Sequence, residues 1–333
     1  MNTDRFRHLV LSSPQRQAMP IATYPGMALT GTTVRKVVGD PAAQVEIQAA
    51  LQQRYETGIV LSAMDLSAEA EAFGSEVVLS DQEVPSIIGR RVTNREQADW
   101  LPVPQPGDRR TAVYLEATRR LRQLPGRPLV LGGCIGPFSL AARLVGVTEA
   151  MELTLADPTL MHLVIEKTAR FLADYAQAFR AAGADGLIMA EPAAGLLSPR
   201  GMSVFSSAYI RQIAASLADH PFAFILHNCA AKIVHLPAVL QTGLRTFHFG
   251  APMDLAVALG KVPAEVILCG NLDPAAVFCR ATPAEVTART ASLLSATAAH
   301  RNFVISSGCD LPPNSTLASL DAFYGAVKAF NRR

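Results

Sequence analysis

The sequence lacks a long hydrophobic run, an excess of charge of either sign, and a glycine-rich dinucleotide-binding turn. Of its 333 residues 17% are charged and the formal net charge is +2, with no cluster of basic residues interleaved with aromatics. No uninterrupted apolar stretch approaches the roughly 18 to 20 residues of a membrane span. Neither a nucleic acid nor a membrane is therefore an expected partner.

Cysteine is also scarce. The chain has five cysteines, an odd number, at positions 134, 229, 269, 279 and 309. The N-terminal segment Met1–Arg7 carries early charge and is not followed by a sustained apolar segment, so no secretory leader is expected. The cytoplasm, a reducing compartment, is the expected setting. There, neighbouring cysteines favour metal binding or catalysis over disulfides.

Short apolar segments alternate with longer amphipathic stretches, which indicates an α/β fold with a parallel sheet. This pattern favours a single (β/α)8 TIM barrel spanning residues 1–333, because such barrels need about 250 residues plus additions, here an N-terminal helical decoration. The sequence predicts eight strands, at Pro20–Tyr24, Gly58–Met64, Pro128–Leu131, Gly186–Met189, Phe222–Leu226, Arg245–Phe249, Glu265–Leu268 and Asn302–Ile305.

The longest predicted helix is Asp157–Ala182, which Asp157 caps, Pro158 begins and Gly183 ends. Segment 73–106 departs from the alternation and predicts a hairpin-like excursion near the mouth of the barrel, with strands at Glu76–Leu79 and Ser86–Val92. Further helices are predicted at Pro199–Ala218, Thr282–Ala299 and Ser315–Phe330.

The most informative residues follow two of the predicted strands. His227 and Cys229 are two apart at the end of one apolar run, so on an extended segment their side chains share a face. Cys309 follows another such run. Because barrel active sites lie at the C-terminal ends of the strands, these three residues predict a Cys2His zinc site with an open fourth position.

Other interpretations of single residues stay open. Buried free cysteines mostly behave as small apolar residues, and that is the prediction for Cys134, Cys269 and Cys279. His248 also lies at a strand end, where a hydrogen-bonded core histidine is predicted rather than a ligand.

Two acidic residues are ambiguous in the same way. Glu191 either caps the turn that follows its strand or serves the metal, as a displaceable fourth ligand or as a support for a ligand. Asp65 either orients a substrate at the mouth or caps the next helix.

The charge of the predicted site selects its chemistry. Zinc with two thiolates and a neutral imidazole is formally neutral, and a substrate thiolate makes the site a monoanion whose sulfur stays electron-rich at neutral pH. Alcohol oxidation also uses Cys2His zinc, but it requires a nicotinamide domain with a glycine fingerprint, which the sequence lacks.

Several motifs resemble the uroporphyrinogen decarboxylase superfamily, and more narrowly its methylcobalamin:coenzyme M methyltransferase branch. The similarity spans nearly the whole chain. Gly-Pro-Phe and Gly-Asn-Leu-Asp-Pro are shared widely in the superfamily, whereas His-x-Cys with a distal Cys marks the zinc methyltransferases. The motifs are residues 64–74, Gly136–Ala141, Glu191-Pro192, His227–Cys229, Cys269–Pro274 and Ser307–Pro312.

The resemblance implies a (β/α)8 barrel whose zinc, held by His227, Cys229 and Cys309, binds a small acceptor thiol such as coenzyme M. The methyl donor would be methylcobalamin carried by a separate corrinoid protein docked over the mouth. Glu191 occupies an acidic position of the family and is expected to hold zinc when no thiol is bound. Asp65, Asn271 and Asp273 are the expected cofactor-binding residues.

The decarboxylase branch is the alternative. Its members carry an Arg-Gln-Ala-Gly-Arg stretch near the N-terminus, whereas the corresponding segment Met19–Gly26 has no arginine. A substrate with many carboxylates would thus lack its main counter-charges. The sequence also lacks an Asp-x-His-x-x-Gly corrinoid-binding run, so the cobalamin is expected on a partner. A third interpretation is a binding module with a structural zinc.

Overall fold

The computed structural model describes residues 4–332. Seven parallel strands form the main sheet in the order β1-β4-β5-β6-β7-β8-β9, and β2 and β3 pair separately as an antiparallel hairpin. The strands are β1 (Ile59–Leu61), β2 (Glu76–Val78), β3 (Ser86–Ile88), β4 (Leu129–Ile135), β5 (Gly186–Ala190), β6 (Ala223–Asn228), β7 (Thr246–Phe249), β8 (Ile267–Leu272) and β9 (Phe303–Ser307).

Helices connect the strands and cover the outside of the sheet. They are α1 (Arg5–Ser12), α2 (Met27–Thr30), α3 (Val34–Gly39), α4 (Pro41–Tyr55), α5 (Ala68–Ala72), α6 (Arg95–Asp99), α7 (Thr111–Leu121), α8 (Pro137–Val145), α9 (Val147–Ala156), α10 (Pro158–Ala181), α11 (Pro199–Met202), α12 (Ala208–Ala215), α13 (Leu236–Leu240), α14 (Leu255–Leu259), α15 (Pro283–Ala296) and α16 (Leu317–Asn331). Among residues 4–332, no helix has the length and hydropathy needed to cross a membrane.

The sheet is curled around an apolar interior. Leu61 of β1 and Val304 of β9 belong to the two ends of the strand order, yet they lie in one buried cluster. Phe6 and Val10 of α1 join the same cluster. The apolar interior therefore lies beneath the C-terminal ends of the strands, where the polar residues of β6 and β9 are found.

Seven of the eight predicted strands are confirmed, and the strand predicted at Pro20–Tyr24 is wrong. In its place, Ala18 forms a single parallel bridge with Ile305, and the Met19 amide donates to the Ile305 carbonyl over 2.9 Å. Pro20 has no N–H with which to continue this ladder, and the chain turns into a 3-10 helix at Tyr24–Gly26.

The hairpin and three of the four predicted helices are confirmed. Strands β2 and β3 lie within the predicted excursion. Helix α10 begins at Pro158, after the side chain of Asp157 accepts from the Leu160 amide, and ends before Gly183. The helix predicted at Pro199–Ala218 is instead split into α11 and α12 by a π-helical turn at Ser203–Ser207.

Two glycines give a matched test of this packing. A Cβ on Gly186 of β5 would collide with the backbone carbonyl of Ala223, whereas a Cβ on Gly325 of α16 would meet nothing within 4 Å. We expect Gly186→Ala to destabilise the fold by about 1–3 kcal/mol through overpacking. Gly325→Ala should stabilise it by about 0.5–1 kcal/mol, since alanine favours the helix.

The midpoint of thermal unfolding measures both effects. Equal midpoints for the two variants would contradict the described contact between β5 and β6.

Candidate metal centre

The three residues predicted to bind metal lie together. His227 is near the end of β6, Cys229 follows that strand, and Cys309 follows β9. One nitrogen and the two sulfurs all lie within 4.8 Å of one another. Strands β6 and β9 are three places apart in the sheet, which in a flat sheet would be about 14 Å. The curl of the sheet and the loops beyond the strands bring the side chains together.

Two glycines allow these loops to approach closely. A Cβ on Gly250, after β7, would overlap the carbonyl of Cys229. A Cβ on Gly308 would lie 3.2 Å from the Cα of Gly250 and 3.1 Å from the Asn271 carbonyl oxygen. The loops that follow β6, β7 and β9 therefore pack backbone against backbone, which holds Cys229 and Cys309 on the same side of the mouth.

The tautomer of His227 follows from a chain of hydrogen bonds. The Ser306 hydroxyl donates its only proton to the Met19 carbonyl over 2.5 Å, so it must accept from His248 Nε2, which is 2.8 Å away. His248 Nδ1 then carries a lone pair and accepts from His227 Nδ1–H over 2.8 Å. The proton of His227 is therefore on Nδ1.

The other nitrogen of His227 is free to bind a metal. Nε2 is buried and has no hydrogen-bond partner within the described part of the chain. Burial lowers the pKa of His248 well below its usual value, so His248 is a neutral imidazole whose Nδ1 can accept a hydrogen bond. A buried lone pair without a donor is unfavourable unless a cation fills the position.

The two sulfurs are coupled. The Cys309 thiol donates to the sulfur of Cys229, and this hydrogen bond lowers the pKa of Cys229. The same bond, together with burial, raises the pKa of Cys309. One sulfur is thus readily a thiolate, and a cation that replaces the shared proton would find two thiolates. With the free nitrogen of His227, this donor set suits a tetrahedral Cys2His zinc site.

Glu191 lies outside this cluster. Its carboxylate accepts from the amides of Phe138 and Ser139, at 2.9 and 2.8 Å, and from the Ser206 hydroxyl at 2.9 Å. The two amides belong to the N-terminus of α8, where a helix favours an anion. Burial raises the pKa of Glu191, and these hydrogen bonds oppose that shift.

The backbone of Glu191 supports the site more directly. Its amide donates to the His227 carbonyl over 2.8 Å, and its carbonyl accepts from the side chain of Asn228 over 2.9 Å. Metal ligation by the Glu191 carboxylate would require it to exchange its bonds to α8, and this role stays a prediction.

Asp65 is held at the mouth by a polar network. It forms an ion pair with Arg110 and accepts from the hydroxyls of Tyr114, at 2.9 Å, and Ser67, at 2.6 Å. Arg110 is also paired with Glu71 at 2.6 Å. Asp65 therefore both fixes the turn before α5 and lines the mouth.

Asn271 and Asp273 have backbone partners. The side-chain amide of Asn271 donates to the backbone carbonyls of Gly250, at 3.0 Å, and Met253, at 2.6 Å. These bonds fix the glycine-containing loop after β7. Asp273 caps the π-helical turn Pro274–Cys279 by accepting from the Ala276 amide over 2.7 Å. Their part in cofactor binding stays a prediction.

Sequence reasoning missed the partners of these residues. His248 is hydrogen-bonded in the core as predicted, but its link to His227 was not anticipated, although the two lie opposite each other in the β6–β7 register. Arg110 and Arg143 were not singled out. Arg143 did carry a signal, since it is a charged residue within the apolar helix α8.

His248 gives a test of the tautomer assignment. We expect His248→Phe to weaken zinc affinity about 10- to 100-fold, because His227 loses the acceptor that holds its proton on Nδ1. A competition titration with a chelator measures this affinity. His162→Phe is the matched control, since His162 bonds to Tyr209 and not to the cluster. Equal affinity in both variants would contradict the assigned hydrogen-bond chain.

Comparison with known proteins agrees with the fold and the motifs. The chain is 27% identical to the methylcobamide:CoM methyltransferase MtbA of Methanosarcina mazei, over 93% of this chain and 94% of that protein. It is 26% identical to the uroporphyrinogen decarboxylase of Psychromonas ingrahamii, over 86% of this chain and 83% of that protein.

Solved structures show the same architecture. A methyltransferase from Methanosarcina mazei superposes with a TM-score of 0.87 at 20% identity, covering 99% of each chain. A B12-independent methionine synthase from Shewanella gives a TM-score of 0.56 at 13% identity, covering 96% of each chain. The family model described as uroporphyrinogen decarboxylase (URO-D) matches residues 10–330. The chain therefore belongs to the uroporphyrinogen decarboxylase (URO-D) family.

Proposed function

We propose that this protein is a zinc-dependent methyltransferase that moves a methyl group from a methylated corrinoid to a small thiol such as coenzyme M. The observation that carries the proposal is the buried, unpartnered Nε2 of His227 beside the sulfurs of Cys229 and Cys309. The similarity to a methylcobamide:CoM methyltransferase over 93% of the chain supports it.

The residues present would hold zinc through His227, Cys229 and Cys309. Zinc, when bound there, would lower the pKa of the acceptor thiol and keep its sulfur nucleophilic at neutral pH. His248 and Ser306 hold the imidazole of His227 in the required tautomer. The packed loops at Gly250 and Gly308 hold the two cysteines in place.

In the transfer, the acceptor sulfur would form a bond to the methyl carbon while the carbon–cobalt bond of the methylated corrinoid breaks. The electron pair of the carbon–cobalt bond would remain on cobalt, which becomes Co(I). The chain's contribution is to align sulfur and methyl at the open end of the sheet. The corrinoid would arrive on a partner protein that covers this end. Asp65, which lines the cavity at this end, is one of the predicted corrinoid-binding residues.

The proposal includes a full (β/α)8 barrel formed by one domain over residues 1–333. The bridge between Ala18 and Ile305 supports it, because the segment around Ala18 lies beside β9 at one edge of the sheet. Met19 and Ile21 belong to the buried interior that β1 also lines. The proposal also requires a compartment that keeps Cys229 and Cys309 reduced, which favours the cytoplasm.

Decarboxylation of a tetrapyrrole is the second candidate, favoured by the 26% identity to uroporphyrinogen decarboxylases. Arg110 could serve as a counter-charge at the mouth, but Asp65 and Glu71 already neutralise it. A direct assay with uroporphyrinogen separates the two candidates, and we expect no turnover.

The metal site is tested by metal analysis of the purified protein. We expect about one zinc per chain, and its loss in the double variant His227→Ala, Cys309→Ser, because two of three ligands are removed. Cys279→Ser is the control, since Cys279 lies outside the cluster. Zinc retained in the double variant would remove the basis of the proposal.

The activity is tested with free methylcobalamin and a panel of small thiols. We expect methylated thiol and cob(I)alamin in equal amounts, with loss of both in the double variant because no metal activates the acceptor. Absorption spectroscopy under anaerobic conditions follows the cobalamin. An active double variant would contradict the proposed role of the cluster.

A further inference from the structure

A small cavity at the mouth is lined in part by the residues that follow Cys309 in the chain. Its volume is about 260 Å³, and its lining includes Asp310, which directly follows Cys309. Val84 of the hairpin loop and Pro312 also line it. The cavity therefore opens at the mouth, next to the residues proposed to activate the acceptor, and its size suits a small molecule.

Arg143 lines this cavity and makes no side-chain hydrogen bond or ion pair within residues 4–332. It lies in the last turn of α8 and is half-buried. Its charge is attracted through space to Glu69 and Asp65, and burial lowers its pKa from the usual value, although an arginine keeps its proton at neutral pH. A half-buried guanidinium without a partner is costly unless a ligand supplies the anion.

The nearby carboxylates do not satisfy Arg143. Asp65 is already paired with Arg110. Glu69 is fully buried, and one of its oxygens accepts from the Ile135 amide over 3.0 Å. Burial raises the pKa of Glu69 to about 7. Near neutral pH its carboxyl group is therefore only partly ionised and is a poor counter-ion for Arg143.

Two further polar atoms on the cavity lining lack partners in the described structure. Tyr24 is only 1% exposed, and its buried hydroxyl makes no hydrogen bond. One oxygen of Asp310 is in the same condition. Tyr24 is a second donor on the same cavity as Arg143. A cation and a hydroxyl, both unpartnered, are the groups that bind a carboxylate, sulfonate or phosphate.

We propose that Arg143 and Tyr24 are specificity-determining residues that bind the anionic end of the acceptor thiol. This inference rests on the proposed function, because the thiol end of the same molecule would reach the cysteine cluster. The cavity would thereby select the acceptor and direct its sulfur.

The test compares four thiols of similar size: 2-mercaptoethanesulfonate, 3-mercaptopropionate, the neutral 2-mercaptoethanol and the cationic cysteamine. In Arg143→Gln we expect kcat/KM for both anionic thiols to fall about 10- to 100-fold, the usual effect of losing a charge-assisted pair. For 2-mercaptoethanol it should stay unchanged. Arg143→Lys should restore part of the loss, and the ratio of the two anionic thiols shows which group the cavity prefers.

Arg289→Gln is the matched control. Arg289 is exposed on α15, does not line the cavity and carries the same charge. An equal loss for all four thiols in Arg143→Gln, or a preference of the wild type for cysteamine, would overturn the proposal. A lower midpoint of thermal unfolding in Arg143→Gln than in Arg289→Gln would also do so, since it would mark Arg143 as structural.

A binding measurement separates this proposal from the proposed function. Ethanesulfonate has the anion but no thiol, so calorimetry on the metal-free protein tests the cavity without any methyl transfer. We expect binding to the wild type and a loss of about tenfold or more in Arg143→Gln. If no thiol accepts a methyl group, the proposed function fails. The calorimetric binding of ethanesulfonate still decides for or against the anion site.

Discussion

The hydrogen-bond chain from the Met19 carbonyl through Ser306 and His248 to His227 is the constraint on which the rest of the site depends. A carbonyl only accepts, and from this one fact the position of every proton along the chain follows. The result is a buried nitrogen lone pair directed at two cysteines. The segment at Met19 that replaces the predicted first strand therefore orients a proposed ligand from the edge of the sheet beside β9.

Close backbone packing is the second requirement. The ligand residues belong to β6 and β9, which are separated by two strands. Gly250 and Gly308 let the loops touch, and Asn271 ties one of these loops to β8. The sequence motif Gly-Asn-Leu-Asp-Pro thus has a physical explanation: its asparagine and aspartate satisfy backbone groups around the mouth and keep the loops in register.

Much of the fold and the composition of the site could be predicted from the sequence. Apolar periodicity located seven strands, and the spacing of His227 and Cys229 indicated a shared face. The irregular segment at Pro20 could not be foreseen, because its place depends on pairing with β9 across the whole chain. The same holds for the link between His227 and His248 and for Arg143, which has no partner among residues 4–332, since both depend on tertiary structure that local pattern does not encode. Glu191 showed the ambiguity of a strand-end acid: its carboxylate caps α8, while its predicted ligation stays a prediction.

The most direct measurement of the central claim is X-ray absorption at the zinc edge, with and without an acceptor thiol. The account predicts two sulfurs at about 2.3 Å and at least one nitrogen at about 2.0 Å around zinc. On addition of 2-mercaptoethanesulfonate it predicts a third sulfur. A zinc environment without sulfur, or one whose sulfur number does not change when the thiol is added, would contradict it.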